Sequence, residues 1–350
     1  MKRLLLLLLF ATNGPFGSAC LRAAPAAVRH STVVNADAPY PECHASTIVE
    51  LPQGGLVAAW FGGTKERHPD VGIWVARHES GRWQPAREVV NGVLPDGTRQ
   101  PTWNPVLFQA RTGPLVLFYK VGPSPGKWWG MVTDSRDGGR TWATPRRLPE
   151  GILGPVKNKP VVLRDGTWLA ASSTEGNPDG WLVHFESSRD GGATWTRSGP
   201  VRKGPGFDAI QPSILLHRDG ALQAVCRTKQ GVVAQTWSKD DGRTWSALTA
   251  TNLPNPNSGT DAVTLADGRQ LIVYNHSGHR ANEAKGNRYP LDVALSDDGV
   301  TWRHVLTLEH EPLGSGYAYP AVIQARDGKV HVTYTWNRKR IKHVVLDLTP

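Results

Sequence analysis

Short apolar segments alternate with glycine-centred turns along almost the whole chain. Six times, an apolar segment of strand length is followed by a turn that contains glycine and then by a second apolar segment. These turns begin at Gly54, Gly113, Asp165, Asp219, Asp267 and Asp327. Asp-Gly between two such segments is a strong hairpin signal, and no segment shows convincing helical periodicity. The pattern therefore predicts an all-β chain built from six hairpins.

A second repeat runs in phase with the hairpins. Ser135–Trp142 reads Ser-Arg-Asp-Gly-Gly-Arg-Thr-Trp and returns at Ser188–Trp195 and Ser238–Trp245, one residue shorter at Ser296–Trp302, and as a remnant at Glu79–Trp83. The tryptophans that end these boxes, at 83, 142, 195, 245 and 302, lie 59, 53, 50 and 57 residues apart. Such a period is typical of propellers and solenoids. Ser and Asp in this setting bond nearby backbone N–H groups and Gly adopts a positive φ, so we interpret the boxes as structural turns with Trp as an apolar plug.

Each unit has a third strand before its box and a short fourth strand after the Trp. The third strands are predicted at 71–76, 181–186, 232–237 and 291–295. The last unit ends in Ile341–Leu348 with no box after it, so we expect Ser31–Val34 to supply its outer strand and close the ring. Roughly 54 residues per unit suits a four-stranded blade. We predict a six-bladed β-propeller that occupies residues 26–350 as one domain.

The N-terminus is typical of a secretory signal. Met1-Lys2-Arg3 precedes a short apolar stretch, which predicts a signal peptide over about residues 1–25 and a secreted or periplasmic protein. A lipid anchor on Cys20 is an alternative to simple cleavage, and no later segment reads as a membrane span. After export the chain keeps Cys43 and Cys226, which an oxidising compartment would allow to pair.

The net charge narrows the class of ligand. A formal charge of +10 favours acidic ligands. Nucleic acid is a poor candidate because the Lys and Arg residues are scattered, without a basic arm or a recognition helix. We expect a monomer that contains neither a catalytic metal nor a cofactor.

The first strand of each propeller blade is innermost, so the residues that begin these strands face a shared central funnel. Counting back from the turns places six polar residues there: His44, Asn104, Lys159, Gln211, Asp261 and Tyr319. Unlike the boxes, these positions differ from one unit to the next. Different groups that converge once are what an active site on a symmetric scaffold requires, and we predict the site here.

The boxes resemble the Asp-boxes, or bacterial neuraminidase repeats, of the sialidase superfamily, and the resemblance covers nearly the whole mature chain. It implies a retaining exo-glycosidase with a Tyr nucleophile, an Asp acid/base and three Arg residues that hold the substrate carboxylate. On this resemblance Tyr319 is the nucleophile, Asp70 is the acid/base, and Arg227 and Arg288 bind the carboxylate. Arg offers a planar fork to a carboxylate. Glu66 lies near Asp70, and like-charge repulsion between them is expected to raise the pKa of Asp70.

Two positions depart from the sialidase pattern. His44 stands where the first Arg is expected, and Gln211 stands where the Glu partner of the tyrosine is expected. Another residue would then have to act as the base that takes the proton of Tyr319, and Asp261 and Glu186 are the candidates. Positive charge would be restored by a lysine of the third unit, Lys157 or Lys159.

Three hypotheses of function follow. The first is an exo-acting hydrolase that releases a terminal acidic sugar through Tyr319 and Asp70, with Gln211 and His44 beside them. The second is a uronate-directed lyase, or a glycosidase acting on a sugar linked to glucuronate, that uses His44 and Tyr319 as base and acid. The third is a glycan-binding propeller without turnover. The predicted substrate-binding residues are Arg227, Arg288, Lys159, Asn104, Glu66 and Asp261.

Overall fold

Six antiparallel sheets are arranged as the blades of a β-propeller in a computed structural model. The structure describes residues 26–178, 180–204, 206–280, 283 and 285–348. These residues form 25 strands and no helix, so none of them belongs to a helix that could cross a bilayer. The predicted signal peptide and Cys20 lie outside the described residues.

The strands of the first three blades follow one another along the chain. Blade 1 contains β2 (Glu42–Glu50), β3 (Leu56–Gly63), β4 (Gly72–Glu79), β5 (Arg82–Trp83) and β6 (Arg87–Val90). Blade 2 contains β7 (Thr102–Gln109), β8 (Leu115–Val121), β9 (Trp129–Ser135) and β10 (Arg146–Arg147). Blade 3 contains β11 (Val161–Val162), β12 (Trp168–Asn177), β13 (Gly180–Ser188) and β14 (Thr196–Arg197). Blade 1 exceeds the predicted four strands because β5 and β6 both pair with β4.

Blades 4 and 5 follow the same order, and blade 6 joins the two ends of the chain. Blade 4 contains β15 (Ala209–Leu216), β16 (Leu222–Thr228), β17 (Val232–Ser238) and β18 (Thr249–Pro254). Blade 5 contains β19 (Asp261–Thr264), β20 (Gln270–Asn275), β21 (Leu291–Ser296) and β22 (Arg303–Glu309). Blade 6 contains β23 (Tyr317–Gln324), β24 (Val330–Trp336), β25 (Arg340–Asp347) and, as its outer strand, β1 (Ala27–Val33).

The ring closes through the N-terminal strand, as predicted. Ser31 and Thr32 pair with Val344 and His343. Just beyond β1, the Val34 N–H donates to the Ile341 carbonyl at 2.8 Å. The first and last segments of the described chain therefore share one sheet, which holds the two ends of the ring together.

The core lies between neighbouring blades, where one apolar sheet face packs on the next. One cluster joins Val57 and Phe61 of blade 1 to Leu117 and Tyr119 of blade 2, each at most 2% exposed. β2 and β3 are buried over nearly their whole length, which explains why the inner strands read as apolar segments with little alternation.

Cys43 and Cys226, whose pairing the sequence left open, do not form a disulfide. Both are free and buried, Cys43 in blade 1 and Cys226 in blade 4. The two thiols belong to different hydrophobic clusters, so the propeller places them on separate blades and the chain is closed by strand pairing.

The boxes are the structural turns that the sequence predicts. In the first box the Ser135 hydroxyl donates to Asp137 at 2.7 Å and accepts from the Gly139 N–H at 2.7 Å. The Asp137 carboxylate accepts from the Thr141 N–H and hydroxyl at 2.8 and 2.6 Å. The same bonds recur in the boxes at Ser188, Ser238 and, with one residue fewer, Ser296. In each box the Ser and Asp side chains are satisfied by groups of the same turn.

The boxes lie on the face of the ring opposite the starts of the inner strands. Ser135 pairs with Leu115 at the start of β8, and Leu115 pairs with Gln109 at the end of β7. The start of β7, with Asn104, is therefore at the other end of the blade. The repeated turns contribute nothing to the funnel opening.

Candidate functional site

The funnel opens at the face where the inner strands begin and the second strands end. Ile210, beside Gln211, pairs with Arg227 at the end of β16, and Tyr317 pairs with Trp336 at the end of β24. Loops that leave the second strands therefore reach this face. Tyr319, His44, Gln211, Arg227 and Arg288, five residues predicted from the sequence, come together here.

A repeated irregularity of the backbone aims the side chains at this opening. The inner strands of blades 1, 2, 4 and 6 each carry a register shift at the same place. At that place Ala45, Asn104, Gln211 and Tyr319 have φ values of 59°, 38°, 57° and 51°. Positive φ in a non-glycine residue costs about 1–3 kcal/mol and concentrates at functional sites, and bulges redirect side chains. The scaffold is strained where its side chains face the funnel.

The Tyr319 phenol is surrounded by positive charge. Its oxygen accepts a hydrogen bond from Arg227 Nη1 at 2.8 Å and one from Gln211 Nε2 at 3.1 Å. Lys157 Nζ, the Arg288 guanidinium and the Arg227 guanidinium lie 5.6, 5.7 and 5.9 Å from the ring centre. Two hydrogen-bond donors therefore contact this oxygen, and three basic side chains surround the ring. The arrangement suits a phenol oxygen that acts as a nucleophile or exchanges a proton.

Arg227 is fixed by neighbours on both sides. Its Nε donates to Asn257 Oδ1 at 2.8 Å, and its guanidinium lies 5.3 Å from the Trp181 ring centre. Lys229 Nζ lies 4.5 Å from the same ring. Trp181 was not among the candidate residues, because a single aromatic at the start of a strand carries no motif. It holds the guanidinium at the phenol.

His44 is a neutral imidazole beneath the tyrosine. Its ring centre lies 4.2 Å from that of Tyr319, and Nδ1 is 2.9 Å from the Thr335 hydroxyl. Burial holds the pKa of His44 well below its usual value, and the positive charges of Arg338 and Arg288 lower it further. Because Nδ1 is hydrogen-bonded to the Thr335 hydroxyl, Nε2 is the ring nitrogen that is available to exchange a proton with a substrate.

A third arginine, which the sequence analysis missed, enters the funnel from blade 6. Arg338 lies in the turn between β24 and β25, with φ 56°, and forms an ion pair with Glu66 at 2.5 Å. Its charge and that of Arg227 act on Arg288, whose pKa is lowered mainly by burial. The sequence did offer one signal for Arg338: its turn follows the second strand of blade 6 and therefore lies at the funnel end of the blade. Arg227, Arg288 and Arg338 therefore bring three guanidinium groups close enough to act on one another.

Lys157 is buried below the tyrosine and ties three blades together. Its Nζ donates to the Pro320 carbonyl at 2.7 Å, the Thr260 carbonyl at 2.9 Å and Asn158 Oδ1 at 2.8 Å. Burial lowers its pKa to about 7. Of the two lysines proposed to add positive charge, Lys157 is the one beside the phenol.

Lys159 and Asp261 form an ion pair with each other. Lys159 Nζ is 2.9 Å from Asp261 Oδ2, and the carboxylate also accepts from the Ser213 hydroxyl at 3.0 Å and the Val322 N–H at 2.8 Å. Asp261 is 2% exposed and links blades 3, 4, 5 and 6. Of the two candidates for the base that activates Tyr319, Asp261 is a poor one, because its oxygens accept hydrogen bonds from these donors.

Glu186 is likewise not the base for Tyr319. Its carboxylate accepts from the Leu153 and Gly154 N–H groups at 3.0 and 2.6 Å, and His184 Nε2 is 2.9 Å away. It is fully buried beside the outer strands of blades 2 and 3. Glu186 satisfies backbone donors there and stabilises the fold.

Asp70 lies on the first-blade loop, between β3 and β4. Partial burial raises its pKa, but hydrogen bonds from the Thr64 hydroxyl and N–H, at 2.6 and 3.0 Å, and contact with His68 leave the pKa below its usual value. The predicted raised pKa is therefore wrong. The like charge expected to cause it, that of Glu66, is engaged by Arg338.

Asn104 is buried near the start of β7, and its predicted part in substrate binding stays a prediction. The described residues contain no group of three His, Cys, Asp or Glu side chains placed to hold a metal ion. The absence of a metal and of a cofactor stays a prediction.

Comparison with known proteins decides the family. The BNR repeat-like domain model matches residues 54–332. The chain belongs to this family. No curated protein matches it.

Solved structures share the propeller at low identity. A protein of unknown function from Dyadobacter fermentans is 17% identical, with a TM-score of 0.75, over 92% of this chain and 99% of that one. The Hadza microbial sialidase Hz136 is 18% identical, with a TM-score of 0.76, over 90% of this chain and 68% of its own. Trypanosoma rangeli sialidase is 15% identical, with a TM-score of 0.68, over 87% of this chain and 55% of its own. These matches show the six-bladed sialidase-type propeller as the fold of this chain.

Proposed function

We propose that this chain is an exo-acting glycoside hydrolase that releases a terminal acidic sugar from glycans, and that it is exported to do so. One observation carries the proposal: the Tyr319 oxygen accepts hydrogen bonds from Arg227 and Gln211 inside a cluster of cations. A phenol oxygen prepared in this way suits attack on an anomeric carbon that carries a carboxylate. The resemblance to sialidases in fold supports the choice of substrate class.

In the proposed reaction, Tyr319 forms a bond to the anomeric carbon and gives its phenol proton to solvent, while the bond to the leaving oxygen breaks and that oxygen takes up a proton. Water then attacks the same carbon, loses a proton to a base and displaces Tyr319, whose oxygen takes a proton back from solvent. The two displacements together retain the anomeric configuration. Arg227, Arg288 and Arg338 hold the sugar carboxylate through charge-assisted hydrogen bonds. In the absence of substrate, the Arg338 guanidinium is paired with the Glu66 carboxylate.

Asp70 is better suited to act as the base in the second step than as the acid in the first. Because its pKa is below the usual value, it is a carboxylate at neutral pH and is ready to take a proton from water. Protonation of a leaving oxygen by Asp70 is confined to acidic pH. The first step is therefore fastest for leaving groups that need little assistance.

A lyase is the second candidate, and His44 is the observation that favours it. A neutral imidazole whose ring centre lies 4.2 Å from that of Tyr319 has the protonation state of a base. On a uronate, the arginines would neutralise the carboxylate and His44 would remove the proton from the neighbouring carbon. Cleavage of the bond to the leaving oxygen, which takes a proton from Tyr319, would then leave a carbon–carbon double bond in the sugar.

A mass-spectrometric product screen tests both candidates. Wild type, Tyr319→Phe and the control Tyr317→Phe are incubated with sialylated glycans and uronate-containing oligosaccharides. Free acidic sugar, released by wild type and the control but not by Tyr319→Phe, supports the hydrolase. A product lighter by one water than the hydrolysis product supports the lyase. Binding without any product would overturn both in favour of a glycan-binding propeller.

A further inference from the structure

Four histidines cluster at the seam where blade 6, the last of the ring, meets blade 1. His331 on β24 and His343 on β25 are 9% and 2% exposed. His78 on β4 of blade 1 lies 6.2 Å from His343 between ring centres, and His30 lies on the outer strand β1. The proposed reaction uses none of these side chains.

Trp83, which ends the box remnant of blade 1, reaches across this seam. Its indole N–H donates to His343 Nδ1 at 3.3 Å. In the boxes that end at Trp195, Trp245 and Trp302, the indole N–H donates instead to a glycine carbonyl of the same box, at 3.1, 3.0 and 3.1 Å. The remnant lacks the Asp and Thr of a box, and its tryptophan bonds to another blade rather than to its own turn.

The hydrogen bonds fix which nitrogen of each imidazole carries a proton. A Trp indole N–H can only donate, so Nδ1 of His343 carries no proton and accepts. The proton of the neutral His343 ring is then on Nε2, which lies 2.9 Å from His331 Nδ1. The two ring planes are within 11° of each other, which suits an N–H···N bond between ring edges. The chain from Trp83 through His343 to His331 therefore needs both imidazoles neutral.

Protonation of either imidazole would break this chain. A proton added to His343 Nδ1 would face the Trp83 N–H, and one added to His331 Nδ1 would face the N–H of His343. Burial and the neighbouring histidines lower the pKa of His343 to about 3, and burial lowers the pKa of His331. In the unfolded chain both rings take up a proton at about pH 6.5. The unfolded state therefore binds more protons below that pH, and the fold loses stability as pH falls.

The groups around the two imidazoles oppose a positive charge there. Glu50 and Asp327 act on His331, but Glu50 is already paired with Arg326 at 3.2 Å and Asp327 with Lys329 at 3.2 Å. The other titratable groups that act on the two rings are basic: His30 on β1, His78 on β4 and Lys329 in the turn before β24. A protonated imidazole would join these basic groups, which disfavours its charge.

Two contacts of the candidate site cross the same seam. Nδ1 of His44, in blade 1, lies 2.9 Å from the Thr335 hydroxyl of blade 6. Glu66, in the first-blade loop, pairs with Arg338 of blade 6. Loosening of the seam would therefore move residues of the funnel apart.

We propose that the chain Trp83–His343–His331 is a pH-sensitive latch, which holds blade 6 against blade 1 at neutral pH and releases this seam, and with it the geometry of the candidate site, at acidic pH. The latch acts on the free protein, so the proposal does not depend on which reaction the funnel performs.

Amide hydrogen exchange read by mass spectrometry at pH 7.5 and pH 5.0, corrected for the intrinsic pH dependence of exchange, tests the proposal. We expect exchange in wild-type peptides from β1, β5 and β25 to rise at least tenfold at pH 5.0, because each proton taken up on opening contributes up to about tenfold per pH unit. Peptides from β16 and β17 of blade 4 should not change.

Two variants separate the latch from general acid sensitivity. His331→Asn keeps an acceptor near the Nδ1 position but cannot be protonated, so the rise at pH 5.0 should shrink several-fold. Trp83→Phe keeps a ring but removes the N–H donor, so exchange at the seam should already be about two- to tenfold faster than in wild type at pH 7.5. His310→Gln, at an exposed histidine outside the seam, is the control and should match wild type.

Three results would overturn the proposal. They are equal loosening of the seam and of blade 4 in wild type, a full pH-dependent rise in His331→Asn, and wild-type exchange at the seam in Trp83→Phe at pH 7.5. The comparison of the seam with blade 4 needs no variant, so it decides the matter even if a variant fails to fold.

Discussion

The two faces of the propeller are built by opposite rules. On the box face, four turns repeat one hydrogen-bonding pattern within themselves, as the Ser135 and Ser238 boxes show. On the funnel face, the equivalent positions of the blades hold different residues, and their polar groups bond across blades, as Gln211 and Tyr319 do. Repetition on one face provides a uniform scaffold. Divergence on the other brings several kinds of chemical group to one point.

The two faces also differ in the pKa values of their titratable side chains. Hydrogen bonds from the Thr194 hydroxyl and N–H hold the Asp190 pKa at about 2, and the other clean boxes are similar. In the funnel, burial moves the pKa of Lys157 down to about 7 and that of His44 well below its usual value. Box carboxylates are charged at any physiological pH, whereas the funnel holds groups whose protonation can change during a reaction.

The largest effect is expected from removal of the Tyr319 oxygen. Tyr319→Phe should lower turnover roughly a thousandfold, because the reacting group is lost while the ring still packs on His44. The measurement is product release by mass spectrometry at equal concentrations of folded protein. Tyr317→Phe removes the hydroxyl that donates to the Glu311 carbonyl and should leave turnover within a few-fold of wild type. Equal loss in both variants would assign the effect to packing.

Arg338 and Glu66 should shift substrate affinity in opposite directions. Arg338→Met removes a charge-assisted hydrogen bond worth about 1.5–3 kcal/mol, which corresponds to roughly a tenfold to hundredfold rise in KM. Glu66→Gln frees Arg338 from its ion pair and should lower KM. Steady-state kinetics on one acidic glycan compares the two variants. A rise in KM for both would mean that the pair is needed intact.

Removal of the charge of a box carboxylate should lower the thermal stability of the protein and leave its turnover unchanged. Asp240→Asn loses the charge that the Thr244 hydroxyl and N–H stabilise and should lower Tm by about 2–4 °C at neutral pH. The hydrogen bonds from Thr244 hold the folded pKa of Asp240 at about 2, below the ordinary value of an Asp side chain. The stability it contributes is therefore complete above the unfolded pKa and is lost as pH falls through the folded one.

Thermal unfolding from pH 7 to pH 2 checks this prediction. The Tm difference between wild type and Asp240→Asn should shrink below about pH 4, as the wild-type carboxylate also becomes protonated. Asp241→Asn, at the next residue, is the control and should leave Tm nearly unchanged. A difference that does not depend on pH would show that charge at Asp240 is unimportant.

The smallest effect is expected from the two thiols. Because Cys43 and Cys226 are free and buried, a reducing agent should leave Tm unchanged. Burial raises the pKa of Cys43 to about 12 and also raises that of Cys226, so a thiol reagent should react with both only after denaturant is added. A fall in Tm on reduction would indicate a disulfide and contradict the fold described here.

Sequence reasoning recovered the fold because its signals are local. The Asp-Gly turns and the boxes each specify a hairpin or a turn within a few residues. The outer strand at Ser31–Val34 could also be predicted, because the last blade has no box and no strand after Leu348 to serve as its outer strand. The extra pairing of β6 in blade 1 did not follow, since the box remnant at Glu79–Trp83 gives no sign of a second short strand.

The site was predicted in part. Tyr319 and Gln211 were found because they occupy one repeat position, and Arg227 and Arg288 were found through family resemblance. His44 lies one residue before that repeat position, which Ala45 occupies in blade 1. Arg338 was missed because its turn has no motif. The role of Asp261 as a link between blades and the lowered pKa of Asp70 depend on contacts between distant segments, with Lys159 and with Thr64, that no local pattern encodes.

One measurement tests the central claim, that the divergent face performs the chemistry and the repeated face the folding. Product release and Tm are measured in parallel for Tyr319→Phe and Asp240→Asn on an acidic glycan that wild type cleaves. The account predicts that Tyr319→Phe loses product release at an unchanged Tm, and that Asp240→Asn loses Tm at unchanged product release per folded molecule. Loss of product release in Asp240→Asn with an unchanged Tm, or full activity in Tyr319→Phe, would contradict it.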